Sequence, residues 1–250
     1  MNLTESCHVR TEALDYRADA LAMVGQLFYD PGAADPRPAI LLFPDILGLG
    51  SHIKDRAERL VLERGYVALA CDLHGQQKVF SSLEDAQALV QTWRRDVKTI
   101  RARTVGALDA LCARPEVDQT RVAAMGFCLG GTLAFELALA GVELKAAVGF
   151  HSGLVLSSPQ EAKSIKAKIL AIQGADDPLS PVDQRNAFEA TLREGGVDWQ
   201  MYLYGGVLHS FTNPDADALG YLKISRYDRS ADVRSWKQAH EFLDEAFAMP

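Results

Sequence analysis

The sequence predicts an α/β protein with a mainly parallel sheet and helices on both of its faces. Short apolar runs alternate along the chain with segments whose apolar residues recur at helical spacing, and this alternation is typical of such sheets. Several runs, such as residues 39–43, are apolar throughout, as expected for strands that are buried on both faces. Because parallel sheets place their chemistry at the carboxyl ends of the strands, functional residues are expected in the segments that follow these runs.

The first half of the chain predicts four strands. They cover residues around 9–16, 20–29, 39–43 and 66–71, with a turn at 30–38. A helix is predicted over residues 52–64, where Ser51 supplies the cap and Gly65 ends the helix. Residues 82–114 are mostly helical in pattern, in one piece or two, and Pro115 ends this stretch.

The second half alternates strands and helices more regularly. The predicted strands are 122–126, 145–150, 168–172 and 200–204, and the predicted helices are 133–139, 184–194 and 231–247. No linker-like stretch, composition break or internal repeat divides the 250 residues. We therefore expect one domain over residues 1–250.

Charge and composition narrow the range of partners. The formal net charge of −7 counts against nucleic acid or anionic membrane surfaces as general partners. The N-terminus has no apolar signal-peptide core, and no run reaches transmembrane length. We expect a small-molecule substrate, no nucleic acid or membrane partner, and a monomer or small homo-oligomer.

The cysteines and histidines predict neither disulfides nor a metal site. The four cysteines (Cys7, Cys71, Cys112 and Cys128) are scattered without a CxxC pair, as expected for reduced thiols of a cytoplasmic protein. The six histidines lack metal-binding spacing, so we expect no metal and no cofactor.

A strand–turn–helix pattern surrounds Cys128. Residues 122–131 read VAAMGFCLGG, so an apolar strand leads into Gly-x-Cys-x-Gly and a helical pattern follows. This is the pattern of a nucleophile elbow, in which Gly126 and Gly130 let strand and helix approach closely. The helix dipole then favours the thiolate form of Cys128. A buried structural cysteine in a glycine-rich turn has the same local pattern, so the motif alone does not decide its role.

Two later strand ends supply an acid and a histidine. Asp177 follows one predicted strand and His209 follows the next, which is the chain order nucleophile, acid, histidine of the α/β-hydrolase fold. The histidine takes the thiol proton, and the acid fixes its tautomer and stabilises the imidazolium. Singly, Asp177 also fits a turn residue, His209 a solvated loop residue, and Asp176 carries the same charge. Their order after Cys128 favours a Cys–His–Asp triad.

Five stretches of the chain are shared with a known family. They are residues 44–48 (PDILG), 70–75 (ACDLHG), 126–131 (GFCLGG), 174–178 (GADDP) and 209–214 (HSFTNP). On these motifs the chain resembles the dienelactone hydrolase family of α/β hydrolases, from about residue 21 to the C-terminal helix. The resemblance implies an α/β-hydrolase fold, with Cys128 as nucleophile, His209 as base and Asp177, third after Gly174, as its partner.

The loop after the strand at 39–43 is expected to complete the site. In the elbow geometry the backbone N–H groups of Leu129 and Ile46 form the oxyanion hole. In the family's type member a Glu at the position of Asp45 holds the resting thiol away from the histidine. The resemblance therefore implies either that Asp45 modulates the thiol or that it only shapes the loop.

Substrate contacts are less well defined by the sequence. The candidates are His74, Trp93, Phe127 and His151, although the two histidines also fit structural roles and the two aromatic residues also fit the core. The arginines that receive the substrate carboxylate in the type member have no counterpart at their expected places in this sequence. Arg94 and Arg95 are nearby candidates for an anion site, or they belong to a solvated helix face.

The leading hypothesis is a hydrolase that cleaves lactone or carboxylic ester bonds through a thioester at Cys128. One alternative is a non-catalytic protein of the same fold that binds a small ligand or a protein partner. Another is a redox role for the Cys128 thiol.

Overall fold

The fold is built on one eight-stranded sheet. The computed structural model describes residues 8–249. The strands are β1 (Arg10–Ala18), β2 (Leu21–Tyr29), β3 (Arg37–Phe43), β4 (Val67–Ala70), β5 (Val117–Phe127), β6 (Ala146–Phe150), β7 (Lys168–Gly174) and β8 (Trp199–Tyr204). Their order in the sheet is β1-β2-β4-β3-β5-β6-β7-β8. The pairs β1–β2 and β2–β4 are antiparallel and all the others are parallel, which confirms the mainly parallel sheet.

Helices cover both faces of this sheet. They are α1 (Ser51–Arg64), α2 (Leu83–Gln91), α3 (Val97–Cys112), α4 (Leu129–Leu139), α5 (Val182–Gly195) and α6 (Arg229–Ala248), with short 3₁₀ helices at Pro159–Ser164 and Ala216–Leu219. The helices α1 and α6 pack on one face, and α2 to α5 pack on the other. In β3, Leu41 faces the α3–α4 side while Ile40 and Leu42 face the α1–α6 side. This double burial explains why such strands are apolar at every position.

The ends of α1 show one correct and one wrong prediction. Gly65 ends the helix in the left-handed conformation, with φ of 65°, and its N–H bonds to the carbonyls of Leu60 and Val61. Ser51, however, is the first helical residue and does not cap the helix. Gly50 occupies the capping position, and no side chain bonds there.

The stretch 82–114 forms two helices, α2 and α3. The Ser82 hydroxyl accepts a hydrogen bond from Asp85 N–H at the start of α2. At the start of α3 the Asp96 carboxylate accepts one from Lys98 N–H. These two caps explain where the helical pattern divides.

Two elements begin four or more residues earlier than the sequence predicted. Strand β5 starts at Val117 instead of residue 122, because Val117 pairs with Arg37 and the polar residues 118–121 lie in a register irregularity before Val122. Helix α4 starts at Leu129 instead of residue 133, because the two glycines that follow Leu129 are already helical. None of the helices in residues 8–249 combines the length and apolar character that a membrane span requires.

Candidate active site

Cys128 lies at the sharp turn between β5 and α4. Its backbone has φ of 55° and ψ of −120°, a left-handed conformation that is costly for any residue with a side chain. A Cβ atom on Gly126 would collide with the backbone of Gly130, and one on Gly130 would collide with the carbonyl oxygens of Phe43 and Pro44. The two glycines therefore allow the turn that presents the Cys128 side chain, which is half-buried.

Asp177 and His209 meet at the same end of the sheet. The His209 Nδ1 atom lies 2.8 Å from Asp177 Oδ2, and both side chains are buried. Asp177 is 2% exposed and its second oxygen accepts a hydrogen bond from Leu179 N–H, whereas Asp176 points to solvent. Since a carboxylate only accepts, the Asp177 partner fixes the proton of His209 on Nδ1 and leaves Nε2 for chemistry.

The charge on His209 depends on the Cys128 sulfur. Burial opposes protonation of the ring, but the negative charge on Cys128 and the hydrogen bond to Asp177 raise the pKa of His209 to about 10. The Nε2 atom is buried and makes no hydrogen bond of regular geometry within the described residues. The pair can therefore exist as thiolate and imidazolium, the form in which a cysteine is nucleophilic.

The loop after β3 carries Asp45 and Ile46 beside this pair. The Asp45 carboxylate accepts a hydrogen bond from Leu47 N–H at 2.9 Å. Burial raises the pKa of Asp45, while the bond from Leu47 and the charge of His209 oppose this rise. The backbone N–H groups of Ile46 and Leu129 donate no hydrogen bond within residues 8–249, so both are available to a ligand.

The sequence model of the dienelactone hydrolase family matches residues 24–247. The chain belongs to the dienelactone hydrolase family. A protein of Methylorubrum extorquens named "Putative carboxymethylenebutenolidase" is 30% identical over 193 residues, which cover 72% of this chain and 65% of that protein. A Bradyrhizobium protein named "Probable 2-oxo-3-(5-oxofuran-2-ylidene)propanoate lactonase" is 29% identical over 194 residues, 72% of this chain and 76% of that protein.

Among solved structures, a dienelactone hydrolase-like promiscuous phosphotriesterase from metagenomic libraries is similar over nearly the whole chain. It has a TM-score of 0.91 and 38% identity, and the match covers 96% of this chain and 99% of that one. The α/β-hydrolase fold predicted from the sequence is thereby confirmed. Together with the family match, these relatives identify the chain as a lactone or ester hydrolase.

His74 holds the loop after β3 that carries Ile46. Its Nε2 atom lies 2.9 Å from the carbonyl oxygen of Ile46, and its ring packs edge-on against Phe80 at 4.9 Å. Burial lowers the pKa of His74, so the ring is neutral and its Nε2–H donates to Ile46. His74 thus lies behind the loop, in the structural role that the sequence left open beside substrate contact.

Asp72 organises the segment that carries His74, and sequence reasoning gave it no role. Its carboxylate accepts hydrogen bonds from four backbone N–H groups, those of Val24, His74, Gly75 and Gln77. The signal was present in the sequence, since an Asp three residues before a Gly at a strand end is a common turn residue.

The His151 ring packs edge-on against the His209 ring. His151 has φ of 39°, and its ring packs against those of His209 and Phe211 at 5.0 and 5.2 Å. Its Nε2 atom lies 2.8 Å from the Thr212 hydroxyl. Burial and the charges of His209 and His52 lower the pKa of His151 well below its usual value. His151 is therefore a neutral neighbour of the His209 ring.

A buried ion pair fixes the segment after His209. The Arg56 guanidinium donates to the carbonyl oxygen of Thr212 at 2.6 Å and to the Asp232 carboxylate at 2.7 Å. These residues come from α1, the His209 loop and α6. None of the three roles was predictable from the sequence, because no local pattern connects Arg56 with two residues that lie more than 150 positions further along the chain.

Phe127 was one of the expected substrate contacts, with a place in the core as the alternative, and the structure places it in the core. It is fully buried, stacks on Phe150 at 4.9 Å and packs against His52. As the last residue of β5 its side chain points into the core under α1 and α6. Phe127 therefore belongs to the core and lines neither of the two cavities near the elbow.

Two cavities flank the elbow. The first, of about 290 Å³, is lined by Trp93, Leu129, Thr132 and Leu133 together with Arg94, Arg95, Ile100, Glu136, Val155, Leu156 and Ser157. The second, of about 220 Å³, lies beyond Asp45 and is lined by that loop, the start of α1 and residues around Asn213. Trp93 thus lines a cavity beside the elbow.

The remaining cysteines lie away from this site. Cys71 and Cys112 are free thiols, like Cys128, and Cys7 lies outside the described residues. Within residues 8–249, no group of three or more His, Cys, Asp and Glu side chains is arranged to hold a metal ion.

Proposed function

We propose that this chain hydrolyses small-molecule lactones or carboxylic esters with Cys128 as nucleophile, His209 as base and Asp177 as the partner of His209. The observation that carries the proposal is the 2.8 Å contact between His209 Nδ1 and Asp177, with the Cys128 sulfur acting on the same ring. A protein that only binds a ligand does not need these three groups together. The names of the relatives from Methylorubrum and Bradyrhizobium support lactones as the first substrates to test.

In the first half of the reaction the Cys128 thiolate attacks the carbonyl carbon. The carbonyl electron pair moves to oxygen, where the N–H groups of Ile46 and Leu129 stabilise the negative charge. When the adduct collapses, the C–O bond breaks and the leaving oxygen takes the proton from His209 Nε2. The product is a thioester on Cys128.

In the second half His209 removes a proton from water. The hydroxide attacks the thioester carbonyl, the C–S bond breaks, and the acid leaves as the thiolate forms again. A thiolate is easily expelled from a tetrahedral adduct, so good leaving groups such as enolates suit this site better than amines do. Asp45, within electrostatic reach of His209, would adjust the balance between thiol and ion pair.

Intact-protein mass spectrometry with a short-chain activated aryl ester tests the proposal. The parent should form an acyl adduct and turn it over, and Cys128→Ala should form none. His209→Ala should form the adduct slowly and retain it, and Asp177→Asn should lower kcat by about 10³–10⁴-fold while Asp176→Asn changes little. Hydrolysis of every tested ester by Cys128→Ala would contradict the proposal. Ligand recovered unchanged with no turnover would favour the binding-protein alternative.

A further inference from the structure

The cavity beside α4 has apolar walls close to the elbow. It adjoins Leu129, which directly follows the nucleophile, and Trp93 and Leu133 form part of its wall. Its volume of about 290 Å³ exceeds the roughly 150 Å³ that is enough for a benzene ring. The cavity is therefore large enough for an aromatic or branched aliphatic group.

The buried charged side chain that lines this cavity is a carboxylic acid. Glu136, on α4, lines the cavity and is 2% exposed. Its two carboxylate oxygens accept hydrogen bonds from the backbone N–H and the hydroxyl of Ser157. These neutral donors hold the carboxyl group in place. Burial raises the pKa of Glu136, and the hydrogen bonds from Ser157 and the charge of Arg101 oppose this rise. In either protonation state Glu136 provides no positive charge to a ligand.

Arg94 and Arg95 lie at the exposed rim of the same cavity. Neither guanidinium forms an ion pair or a side-chain hydrogen bond with the described residues. Attraction between exposed charges is weak, because water and salt screen it. A buried carboxylate is screened far less, so Glu136 outweighs the rim arginines for a group that enters the cavity.

A second observation also indicates a ligand. The indole N–H of Trp93 is buried and has no hydrogen-bond partner within residues 8–249. The face of its ring is occupied by the Arg103 guanidinium, 4.5 Å away. An unsatisfied buried donor is uncommon, and a neutral acceptor such as an ether or ester oxygen would satisfy this one.

We propose that this cavity receives an uncharged, mostly apolar group of the substrate, and that Glu136 disfavours substrates that carry a carboxylate there. The inference rests on the proposed function, because it takes the elbow as the reacting centre. It makes Glu136 a specificity-determining residue and the preferred substrates neutral aryl or alkyl esters and lactones.

Ligand binding to the Cys128→Ala protein tests the proposal without requiring turnover. The probes are 4-phenylbutanamide and 4-phenylbutanoate, which share shape and differ in charge, and calorimetry measures their Kd. The amide should bind at least about tenfold more tightly than the carboxylate. Glu136→Gln in the same protein should remove most of this difference, since Gln keeps the shape and can still bond to Ser157.

Glu143→Gln is the matched control. It removes the same charge from an exposed position outside the cavity lining and should leave the ratio unchanged. Equal or tighter binding of the carboxylate overturns the proposal, and so does a failure of both probes to bind. Neither result bears on whether Cys128 is the nucleophile, which the adduct experiment decides separately.

In the parent enzyme, 4-nitrophenyl hexanoate and the 4-nitrophenyl monoester of adipic acid give the kinetic counterpart. The two esters differ by a terminal carboxylate. Glu136→Gln should raise kcat/KM for the acidic ester relative to the neutral one by about the same factor as in the binding experiment. An unchanged ratio would contradict the assigned role of Glu136.

Discussion

At the scale of single residues, the ionisation of His209 is controlled by the residue it is proposed to activate. The charge of Cys128 is a main cause of the raised pKa of His209, which lies at about 10. A pKa above the usual 6.5 means that the ring keeps its proton through neutral pH and loses it only on the alkaline side. While the sulfur carries its negative charge, His209 should therefore stay protonated near pH 7.

Replacing Cys128 by Ala should lower the pKa of His209. The variant removes the negative charge of the sulfur, a charge that raises the pKa of His209. Burial still opposes protonation of the ring, and only Asp177 then favours it. Nitrogen NMR shifts of the imidazole, followed from pH 5 to pH 11, measure this change. Cys112→Ala removes a half-buried thiol elsewhere and should leave the titration unaltered. The same titration midpoint in Cys128→Ala and parent would refute the coupling.

The sequence identifies candidate residues of the site better than it identifies their supports. Cys128, Asp177 and His209 could be proposed because each follows a strand in a fixed order. The contacts of Arg56 and Thr212 could not, since they depend on how distant segments pack. The burial of Phe127 was predictable, because it lies two residues after Met125 and four after Ala123 and so faces the same side of the sheet as they do.

At the scale of elements, the elbow depends on the contact between α4 and the end of β3. A Cβ atom on Gly130 would meet the carbonyl oxygens of Phe43 and Pro44, which lead directly into the loop that carries Ile46. The Cys128 turn and the proposed oxyanion loop are therefore positioned by one close backbone approach.

Gly130→Ala should displace this loop and lower kcat by about 10²-fold, the usual effect of losing one oxyanion donor. It should also destabilise the fold by about 1–3 kcal/mol, because the added methyl group overpacks the site. Gly205→Ala is the control, since a Cβ atom there meets nothing within 4 Å. Urea unfolding and ester hydrolysis measure both effects, and full activity in Gly130→Ala would exclude this role of the contact.

Element types were predictable and element ends were less so. Apolar runs and helical spacing gave the strands β1 to β8 and the helices that cover them. The polar start of β5 was missed because its pairing with Arg37 is set by the neighbouring strand and not by its own residues. The start of α4 was missed because glycines at residues 130–131 weaken a helical pattern, although tertiary contacts require them there.

At the scale of the whole molecule, the ion pair between Arg56 and Asp232 joins α1, α6 and the His209 loop. Both side chains are buried, so removal of one partner leaves a buried charge without its counterion. The same guanidinium donates to the Thr212 carbonyl, three residues after His209. Stability and positioning of the base thus depend on one side chain.

Arg56→Met should lower the free energy of unfolding by about 3–5 kcal/mol, and Asp232→Leu added to it should restore most of this loss. The double variant should still hydrolyse esters more slowly than the parent, because Thr212 has lost its donor. Urea unfolding and kcat, measured on the same three proteins, separate the two effects. A double variant no more stable than Arg56→Met would show that the unpaired charge is not the cause.

The overall architecture was predictable only in part. The mainly parallel sheet follows from the apolar runs, but nothing in the sequence states that β2 lies antiparallel beside β4. Cavity shape was likewise not predictable, since the wall beside α4 combines residues from the segment between α2 and α3, from α3 and α4, and from the loop after β6.

The route of the chain through the site has a consequence for its assembly. Ile46 and the residues that hold it, Asp45, Asp72 and His74, all precede α3, whereas Cys128, Leu129, Asp177 and His209 all follow it. The two parts of the chain are joined in the sheet where β3 pairs with β5. A cut at the exposed residues 94–96 would give two fragments, each with an incomplete set of catalytic groups. Ester hydrolysis would then report directly on fragment complementation.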